Sequence, residues 1–217
     1  MAPPAPSRST GNEVQSCVLD VDGVLTNFRS AWKRIHDILG IDADLNRALY
    51  ERGYIDYIDW AAADVALWRG VPRYVVEAPF RPREGFDQLC DVLRRSGAVA
   101  VAVSAGVGYT RRLSGCFAEF YVNDIIYDGD LVAGIAVEVT NANKAEVAAK
   151  ALSRYGVSLD ESIAVGDSET DLPLLESAGF SIAFNPTSRR VEEAADVVLR
   201  SQRLHVLAKY LSSLLLR

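Results

Sequence analysis

Two aspartates, Asp20 and Asp22, are the residues whose types and spacing most directly indicate chemistry. They directly follow an apolar run, and Gly23 comes next. One carboxylate of such a pair can act as a nucleophile and the other as an acid or base, provided that their surroundings separate their pKa values. A glycine beside them lets the backbone come close to a ligand and offer N–H groups to an anion. Because the pattern is short, two aspartates that merely solvate a loop are the competing interpretation.

A second acidic group, Gly166 to Asp171, follows another apolar run. If Asp167 and Asp171 lie together they need a cation, and clustered carboxylate oxygens suit Mg²⁺. The alternative is a helix N-cap formed by Asp167, Ser168 or Thr170. Both roles can hold at once.

Two further positions carry weaker signals. Ser104, Ala105 and Gly106 follow a third apolar run and can offer a hydroxyl and N–H groups to a phosphate oxygen. Lys144, at the start of a predicted helix, can neutralise charge that develops on a transferring phosphoryl group. Each signal alone is typical of an ordinary turn or a solvated helix surface, and the order of all four along the chain gives them weight.

The elements that must position these residues alternate along the chain. Apolar runs predict strands at 17–21, 99–103, 162–165, 181–184 and 197–199, and a hairpin at 120–139 turning at Asp128-Gly129-Asp130. Helical patterns separate the strands, which predicts an α/β fold with a mostly parallel sheet covered on both faces. Ligands of such sheets bind beyond the carboxyl ends of the strands. The side chains that this position collects are Asp20, Asp22, Ser104, Asp167 and Asp171.

The chain divides into three predicted parts. Residues 1–16 are rich in Pro, Ser and Ala and predict a flexible tail. Residues 27–80 predict a small helical insertion, here called the inserted segment, because helical periodicities there end at glycines and prolines follow. The catalytic core is predicted to comprise 17–26 and 81–217.

Composition narrows the classes of partner. The chain has 217 residues and a formal net charge of −6, which argues against nucleic acid as the main partner. No apolar run reaches the roughly 18 residues of a membrane span. Cys17, Cys90 and Cys116 lack metal-type spacing and are predicted to be free thiols, which fits a cytoplasmic location.

The chain resembles the haloacid dehalogenase superfamily, whose four motifs occur in order between about Cys17 and Leu199. They are Asp20-Val21-Asp22-Gly23-Val24, Ser104, Lys144 and Gly166-Asp167-Ser168-Glu169-Thr170-Asp171. The insertion between the first two motifs, with the runs at 127–134, 171–179 and 182–186, resembles the phosphoserine-phosphatase subgroup. The resemblance implies a Rossmann-like three-layer α/β/α sandwich with a helical cap inserted after the first strand.

The chain departs from the subgroup at four points. It has Gly23-Val24 where Ser-Thr is usual, Ala105 where a Gly is usual, and Thr170 where an Asn is usual. No acidic residue of the inserted segment clearly matches the one that holds a substrate amino group; the unplaced candidates are Asp44, Asp56, Asp59 and Asp64.

The resemblance also implies the roles of the site residues. Asp20 would attack phosphorus to form an aspartyl-phosphate, while Asp22 would protonate the leaving oxygen and then activate water. Mg²⁺ would be held by the Asp20 and Asp167 carboxylates and the Asp22 carbonyl, with Asp171 supporting the metal or the lysine. The residues expected to bind the phosphate are Gly23, Ser104, Ala105 and Lys144.

The resemblance leaves several alternatives. A dehalogenase is disfavoured because it needs neither a metal nor the second aspartate, Asp22. A phosphomutase on the same core, or a non-catalytic phosphate-binding protein of this fold, remains. The expected partner is a small phosphorylated metabolite, phosphoserine among the candidates, and the expected assembly is a monomer or homodimer.

Overall fold

The computed structural model describes residues 16–77 and 81–216. The predicted tail lies outside these residues apart from Ser16, which begins the first strand.

A seven-stranded sheet forms the centre of the described structure. Its strands are β1 Ser16–Leu19, β2 Val99–Val107, β3 Glu119–Asp128, β4 Leu131–Ala136, β5 Ile163–Gly166, β6 Phe180–Phe184 and β7 Val197–Leu199. The strand order is β4-β3-β2-β1-β5-β6-β7. All neighbours pair in parallel except β3 and β4, which form the antiparallel hairpin at one edge. The predicted α/β fold with a mostly parallel sheet is therefore confirmed.

Helices cover both faces of this sheet. Their bounds are α1 Ala31–Leu39, α2 Asp44–Glu51, α3 Tyr57–Ala66, α4 Arg73–Val76, α5 Phe86–Ser96, α6 Lys144–Ser153, α7 Leu172–Ser177, α8 Arg189–Ala194 and α9 His205–Leu215. A 3₁₀ segment, Gly108–Cys116, follows β2. The short helix α4 was not predicted from the sequence, because the prolines after α3 interrupt the helical pattern.

Alternation along β1 explains the two cores. Cys17 and Leu19 pack on the side of α5 and α9, whereas Val18 packs on the side of α6 and α7. Successive side chains of a strand point to opposite faces, so a strand buried on both faces reads as a continuous apolar run. Because β1 is buried on both faces, it lies at the centre of the sheet, and Asp20 follows directly at its carboxyl end.

The inserted segment forms a third apolar cluster with the β3–β4 hairpin. Trp32 of α1, Tyr57 of α3 and Trp68 pack together with Ile125 and Val132 of the hairpin. The Ser30 hydroxyl accepts the Lys33 N–H at the start of α1, which satisfies one N–H that the helix itself leaves unpaired. The segment is thus anchored on the sheet edge that lies next to β2.

One expectation about the cysteines is wrong. Cys90 of α5 and Cys116 of the 3₁₀ segment form a disulfide with an S–S distance of 2.10 Å, whereas Cys17 is a buried free thiol as predicted. The pairing depends on the packing of α5 against the segment after β2, which sequence spacing does not reveal. Because these two cysteines are paired, reduced thiols at these positions no longer support the predicted cytoplasmic location.

Among the described residues, no helix combines the length and apolar character that crossing a membrane requires.

Asp64 is an ionisable group buried inside the inserted segment. Its Oδ1 accepts a hydrogen bond from Asn46 Nδ2 at 3.0 Å, and its Oδ2 lies 3.5 Å from His36 Nε2. Burial raises the pKa of Asp64 to about 6, although the Asn46 bond opposes the shift. Burial also lowers the pKa of His36, so the imidazole gives little charge compensation near neutral pH.

We predict that Asp64→Asn stabilises the protein at alkaline pH. The folded state holds the Asp64 proton more tightly than the unfolded chain does, so this group's contribution to stability falls as pH rises from its ordinary pKa towards about 6. An asparagine avoids that loss and can still accept the Asn46 bond. Urea unfolding should therefore show a gain at pH 8 that vanishes near pH 4. The exposed Asp59→Asn serves as the control, and an equal gain at both pH values would contradict the argument.

Candidate active site

Three adjacent strands bring the acidic motifs together. β1 lies between β2 and β5, with Leu19 opposite both Ala102 and Val165. Asp20 directly follows β1, and its N–H donates to the Val165 carbonyl at 2.9 Å. Ser104 of β2 and Asp167 after β5 therefore reach the same edge of the sheet, as the sequence predicts.

Lys144 is a buried cation at the centre of this cluster. Its Nζ donates to Asp20 Oδ1 at 2.5 Å and also to Asp171 Oδ1, and the side chain is only 2% exposed. Because a buried ammonium needs paired acceptors, the two carboxylates fix the lysine, and the lysine fixes them in return. The alternative of a solvated helix lysine does not apply.

Asp171 uses both of its carboxylate oxygens within the protein. Oδ1 accepts from Lys144, while Oδ2 accepts the N–H groups of Asp167 and Ser168 at 2.9 and 3.0 Å. A Cβ on Gly166 would lie 2.5 Å from the Asp171 Cβ, so only glycine allows this approach. Asp171 thus holds the Asp167 turn and Lys144. Of the capping candidates, Ser168 caps the 3₁₀ turn Glu169–Asp171, whereas α7 itself has Asp171 at its N-cap without a side-chain cap bond.

The loop after β1 presses Asp22 and Gly23 against the second acidic group. Asp22 Oδ2 accepts the Ala31 N–H at 2.6 Å, while its buried Oδ1 has no hydrogen-bond partner among the described residues. Gly23 has φ +79°, and a Cβ there would lie 2.1 Å from Asp167 Oδ2. The Gly23 N–H departs from the expected contact with an anion, because it donates to the Phe28 carbonyl at 2.7 Å.

The electrostatics of the cluster favour a bound cation. Burial, together with the neighbouring carboxylates, raises the pKa of Asp20 well above its usual range and that of Asp167 to about 7. Burial likewise raises the pKa of Asp22 to about 6. Burial alone would lower the pKa of Lys144, but Asp171 and Asp20 outweigh it and raise that pKa. Asp20, Asp167 and Asp171 each have one oxygen within 4.8 Å of the other two. The single positive charge of Lys144 does not balance these carboxylates.

Sequence reasoning missed Arg29, a residue at the edge of the site. Its Nη1 donates to Asp167 Oδ2 at 2.8 Å and its Nη2 to the Asn185 carbonyl at 3.3 Å. The Arg29 side chain is 56% exposed, so water can solvate the guanidinium if it moves, whereas Asp167, which is 2% exposed, would lose a partner. Its position in a loop before α1 belongs to no motif or periodicity that could have singled it out.

Trp32 and Tyr57 of the inserted segment also reach the site. Their rings pack in the third apolar cluster, and each side chain donates a hydrogen bond to the Ala105 carbonyl, next to Ser104. These contacts help to seal the site: Asp20, Ser104 and Asp167 are all 3% exposed or less.

The sequence comparisons point to one family of hydrolases. A profile for haloacid dehalogenase-like hydrolases matches residues 118–211. A phosphoserine phosphatase of Methanocaldococcus jannaschii is 26% identical over 89% of this chain and 96% of its own length. A phosphoserine phosphatase of Streptococcus thermophilus is 30% identical over 77% of this chain and 82% of its own length. Two other matching relatives are longer, and the match spans 35% and 38% of them.

A comparison of folds agrees with the architecture described above. A solved structure described as a phospho-aspartyl intermediate analogue of phosphoserine phosphatase superposes with a TM-score of 0.75. It is 22% identical in sequence, and the match covers 90% of this chain and 98% of that one. At this identity the likeness concerns the fold.

We predict that Lys144→Met destabilises the protein strongly at pH 8. Removing one partner of a buried ion pair costs about 3–5 kcal/mol, because an uncompensated charge stays behind. The loss should be smaller at pH 5 than at pH 8, because acid favours the neutral form of Asp20, whose pKa is raised by burial and by the neighbouring carboxylates. Urea unfolding at both pH values measures this, with Lys150→Met on the exposed face of the same helix as the control. Equal losses for the two variants would contradict the central role of Lys144.

Proposed function

This chain belongs to the haloacid dehalogenase superfamily, in its phosphoserine-phosphatase-like subgroup, and we propose that it hydrolyses a phosphomonoester through an aspartyl-phosphate on Asp20. The observation that carries this proposal is the buried cluster of Asp20 and Asp22 after β1, Asp167 after β5 and Lys144 at the start of α6. Asp20 is the member held directly at the tip of the central strand, which suits a nucleophile that must not move during attack.

We propose that Asp22 is the acid and base. The Ala31 N–H fixes Oδ2, so the unpartnered Oδ1 is the oxygen left to carry a proton to the leaving group and later to take one from water. Its pKa of about 6, raised by burial, suits both directions of proton transfer near neutral pH. The adjacent Gly23 lets the Asp22 loop lie directly against Asp167.

The residues of the cluster fit a divalent cation. Carboxylates of Asp20 and Asp167 and the carbonyl of Asp22 are the oxygen ligands we propose for Mg²⁺, with Asp171 holding the Asp167 turn in place. When bound, Mg²⁺ would offset the repulsion between carboxylates and phosphate and polarise a phosphoryl oxygen.

Ser104, Lys144 and the backbone around Ala105 are proposed to hold the phosphoryl oxygens. The Gly106 N–H donates to Ser104 Oγ at 3.2 Å, which holds that oxygen and leaves the Ser104 hydroxyl proton to donate to a phosphoryl oxygen. Donors that are fixed before the reaction stabilise developing charge without reorganising. Lys144 already contacts the nucleophile and would neutralise charge on the transferring group.

The substrate is proposed to be a small phosphorylated metabolite. Phosphoserine is the candidate that the names of the relatives support. The inserted segment, 27–80, is proposed to act as the cap of the core formed by 17–26 and 81–217. It must open for a substrate to reach side chains that are almost fully buried.

The test of this proposal is Asp20→Asn, because an amide cannot form the acyl-phosphate. Turnover of p-nitrophenyl phosphate with Mg²⁺ should fall by at least about 10⁴-fold, the scale seen when a covalent nucleophile is removed. Mass spectrometry should detect phosphate on the peptide that contains Asp20 in the wild type alone. The control is Asp37→Asn, an exposed carboxylate of α1. More than a tenth of wild-type turnover in Asp20→Asn would end the covalent mechanism.

A second prediction concerns the metal and uses Arg29. The guanidinium occupies Asp167 Oδ2, so it competes with a cation for that oxygen. Arg29→Gln should lower the Mg²⁺ concentration for half activity by up to about fivefold, since a partly exposed ion pair contributes about 0.2–1 kcal/mol.

Asp167→Ala should raise the Mg²⁺ concentration for half activity or abolish activity. Chelation should stop turnover, and Ca²⁺, which accepts looser coordination, should compete with Mg²⁺.

Calorimetric titration with Mg²⁺ alone gives the same comparison without turnover. Arg47→Gln is the matched control, because Arg47 is an exposed arginine of the inserted segment that pairs with Glu51. Full turnover in a chelator would overturn the metal site. Weaker Mg²⁺ binding by Arg29→Gln would overturn the competition.

A further inference from the structure

The Ala105 carbonyl lies where β2 leaves its regular ladder with β3. Pairing between these strands is interrupted between Val103 and Val107, so the Ser104–Gly106 backbone is freed from that ladder. Irregular strand segments of this kind often re-aim groups next to active sites. Side-chain donors contact this carbonyl instead.

Three side chains donate to this one carbonyl oxygen. Trp32 Nε1 lies at 3.0 Å, the Tyr57 hydroxyl at 2.5 Å and Asn123 Nδ2 at 3.1 Å. Trp32 and Tyr57 belong to the inserted segment, whereas Asn123 belongs to β3. The Ala105 carbonyl therefore keeps all three bonds only while the inserted segment is packed on the sheet.

Asn123 is a fixed donor. It is fully buried, and its Oδ1 accepts the N–H groups of Glu138 and Val139 at 2.8 and 2.9 Å. Its Nδ2 also donates to the Val139 carbonyl at 2.9 Å. Nδ2 also donates to the Tyr57 hydroxyl at 3.3 Å. The bonds with Glu138 and Val139 do not involve the inserted segment, so Asn123 can retain the Ala105 carbonyl when that segment moves.

The direction of the Ala105 carbonyl determines the direction of the next N–H. In a planar trans peptide, the carbonyl of Ala105 and the N–H of Gly106 point to opposite sides. That N–H donates to Ser104 Oγ at 3.2 Å, so it points towards the hydroxyl proposed to bind the phosphoryl group. Gly106 also lies beside Asp22, since a Cβ on Gly106 would lie 2.9 Å from Asp22 Oδ2. Donors on the carbonyl oxygen also polarise the amide and make its N–H a stronger donor.

We propose that Tyr57 and Trp32 are positioning residues that orient and polarise the Gly106 N–H, which donates to Ser104 Oγ here and would donate to the phosphoryl group of a bound substrate. Both lie on the inserted segment that seals the site, so its opening breaks their bonds and its closure over a substrate restores them. The donor is thus complete only in the closed state, which links cap seating to phosphoryl transfer. This inference rests on the proposed function, since it assigns the Gly106 N–H to a transferring phosphoryl group.

Tyr57→Phe tests the inference, because it removes one hydroxyl and keeps the ring. The matched control is Tyr50→Phe: Tyr50 belongs to the same aromatic cluster, with its ring centroid 5.9 Å from that of Tyr57, but its hydroxyl contacts Asn141 Nδ2 at 3.2 Å. For p-nitrophenyl phosphate with Mg²⁺, kcat should fall about tenfold in Tyr57→Phe, less than the 10²–10³ expected for removing such a donor itself. KM should stay within about twofold, and Tyr50→Phe should match the wild type.

A structural readout separates positioning from packing. In ¹⁵N-labelled protein without ligand, the Gly106 amide proton should shift upfield in Tyr57→Phe, since its peptide loses a polarising donor, and should not shift in Tyr50→Phe. Combining Trp32→Phe with Tyr57→Phe should lower kcat by less than the product of the single effects, because both donors share one carbonyl.

The possible results separate a failure of this inference from a failure of the proposed function. An unshifted Gly106 resonance, or an unchanged kcat in Tyr57→Phe, would overturn the inference while the wild type still hydrolyses phosphomonoesters. A loss that appears in KM alone, or equally in Tyr50→Phe, would also overturn it. A wild type without turnover would instead refute the proposed function, while the resonance would still show whether Tyr57 polarises this peptide.

Discussion

The buried ion cluster around Lys144 is the interaction on which the rest of the site depends. The lysine is almost fully enclosed and bonds to Asp20 and Asp171, which come from different parts of the chain. Burying an ammonium is tolerated only when its protons find acceptors, and burying carboxylates is tolerated only when a cation is near. Each partner therefore requires the others, and the strands and helix that carry them must meet at one place.

This mutual requirement leaves an excess of negative charge that shapes the chemistry. Asp167 and Asp22 join Asp20, and the raised pKa values express the excess of negative charge. The buried Arg83 bonds to the backbone carbonyls of Gly23, Val24 and Thr26 and not to these carboxylates. Arg29 supplies partial compensation from the half-exposed edge. A site in this condition favours a bound cation, so the carboxylates that stabilise the fold through Lys144 can also serve the proposed chemistry.

The inserted segment contributes more than a cover. Trp32 and Tyr57 use their rings to build an apolar cluster and their polar ends to contact the Ala105 carbonyl. Aromatic side chains with a polar end suit this double use, because the ring packs while the N–H or O–H finds an acceptor. The packing of the segment and the geometry of the backbone around Ala105 are therefore parts of one arrangement.

The sequence by itself determined the strands, the helices at long periodic runs and the convergence of Asp20, Ser104 and Asp167, because apolar periodicity and parallel topology operate locally or through simple rules. Only the tertiary structure decided the partners. The Cys90–Cys116 disulfide, the Arg29 contact and the internal use of the Gly23 N–H all depend on distances between segments far apart in the chain or on the exact course of a loop. No local pattern encodes such distances, since they result from how whole elements pack.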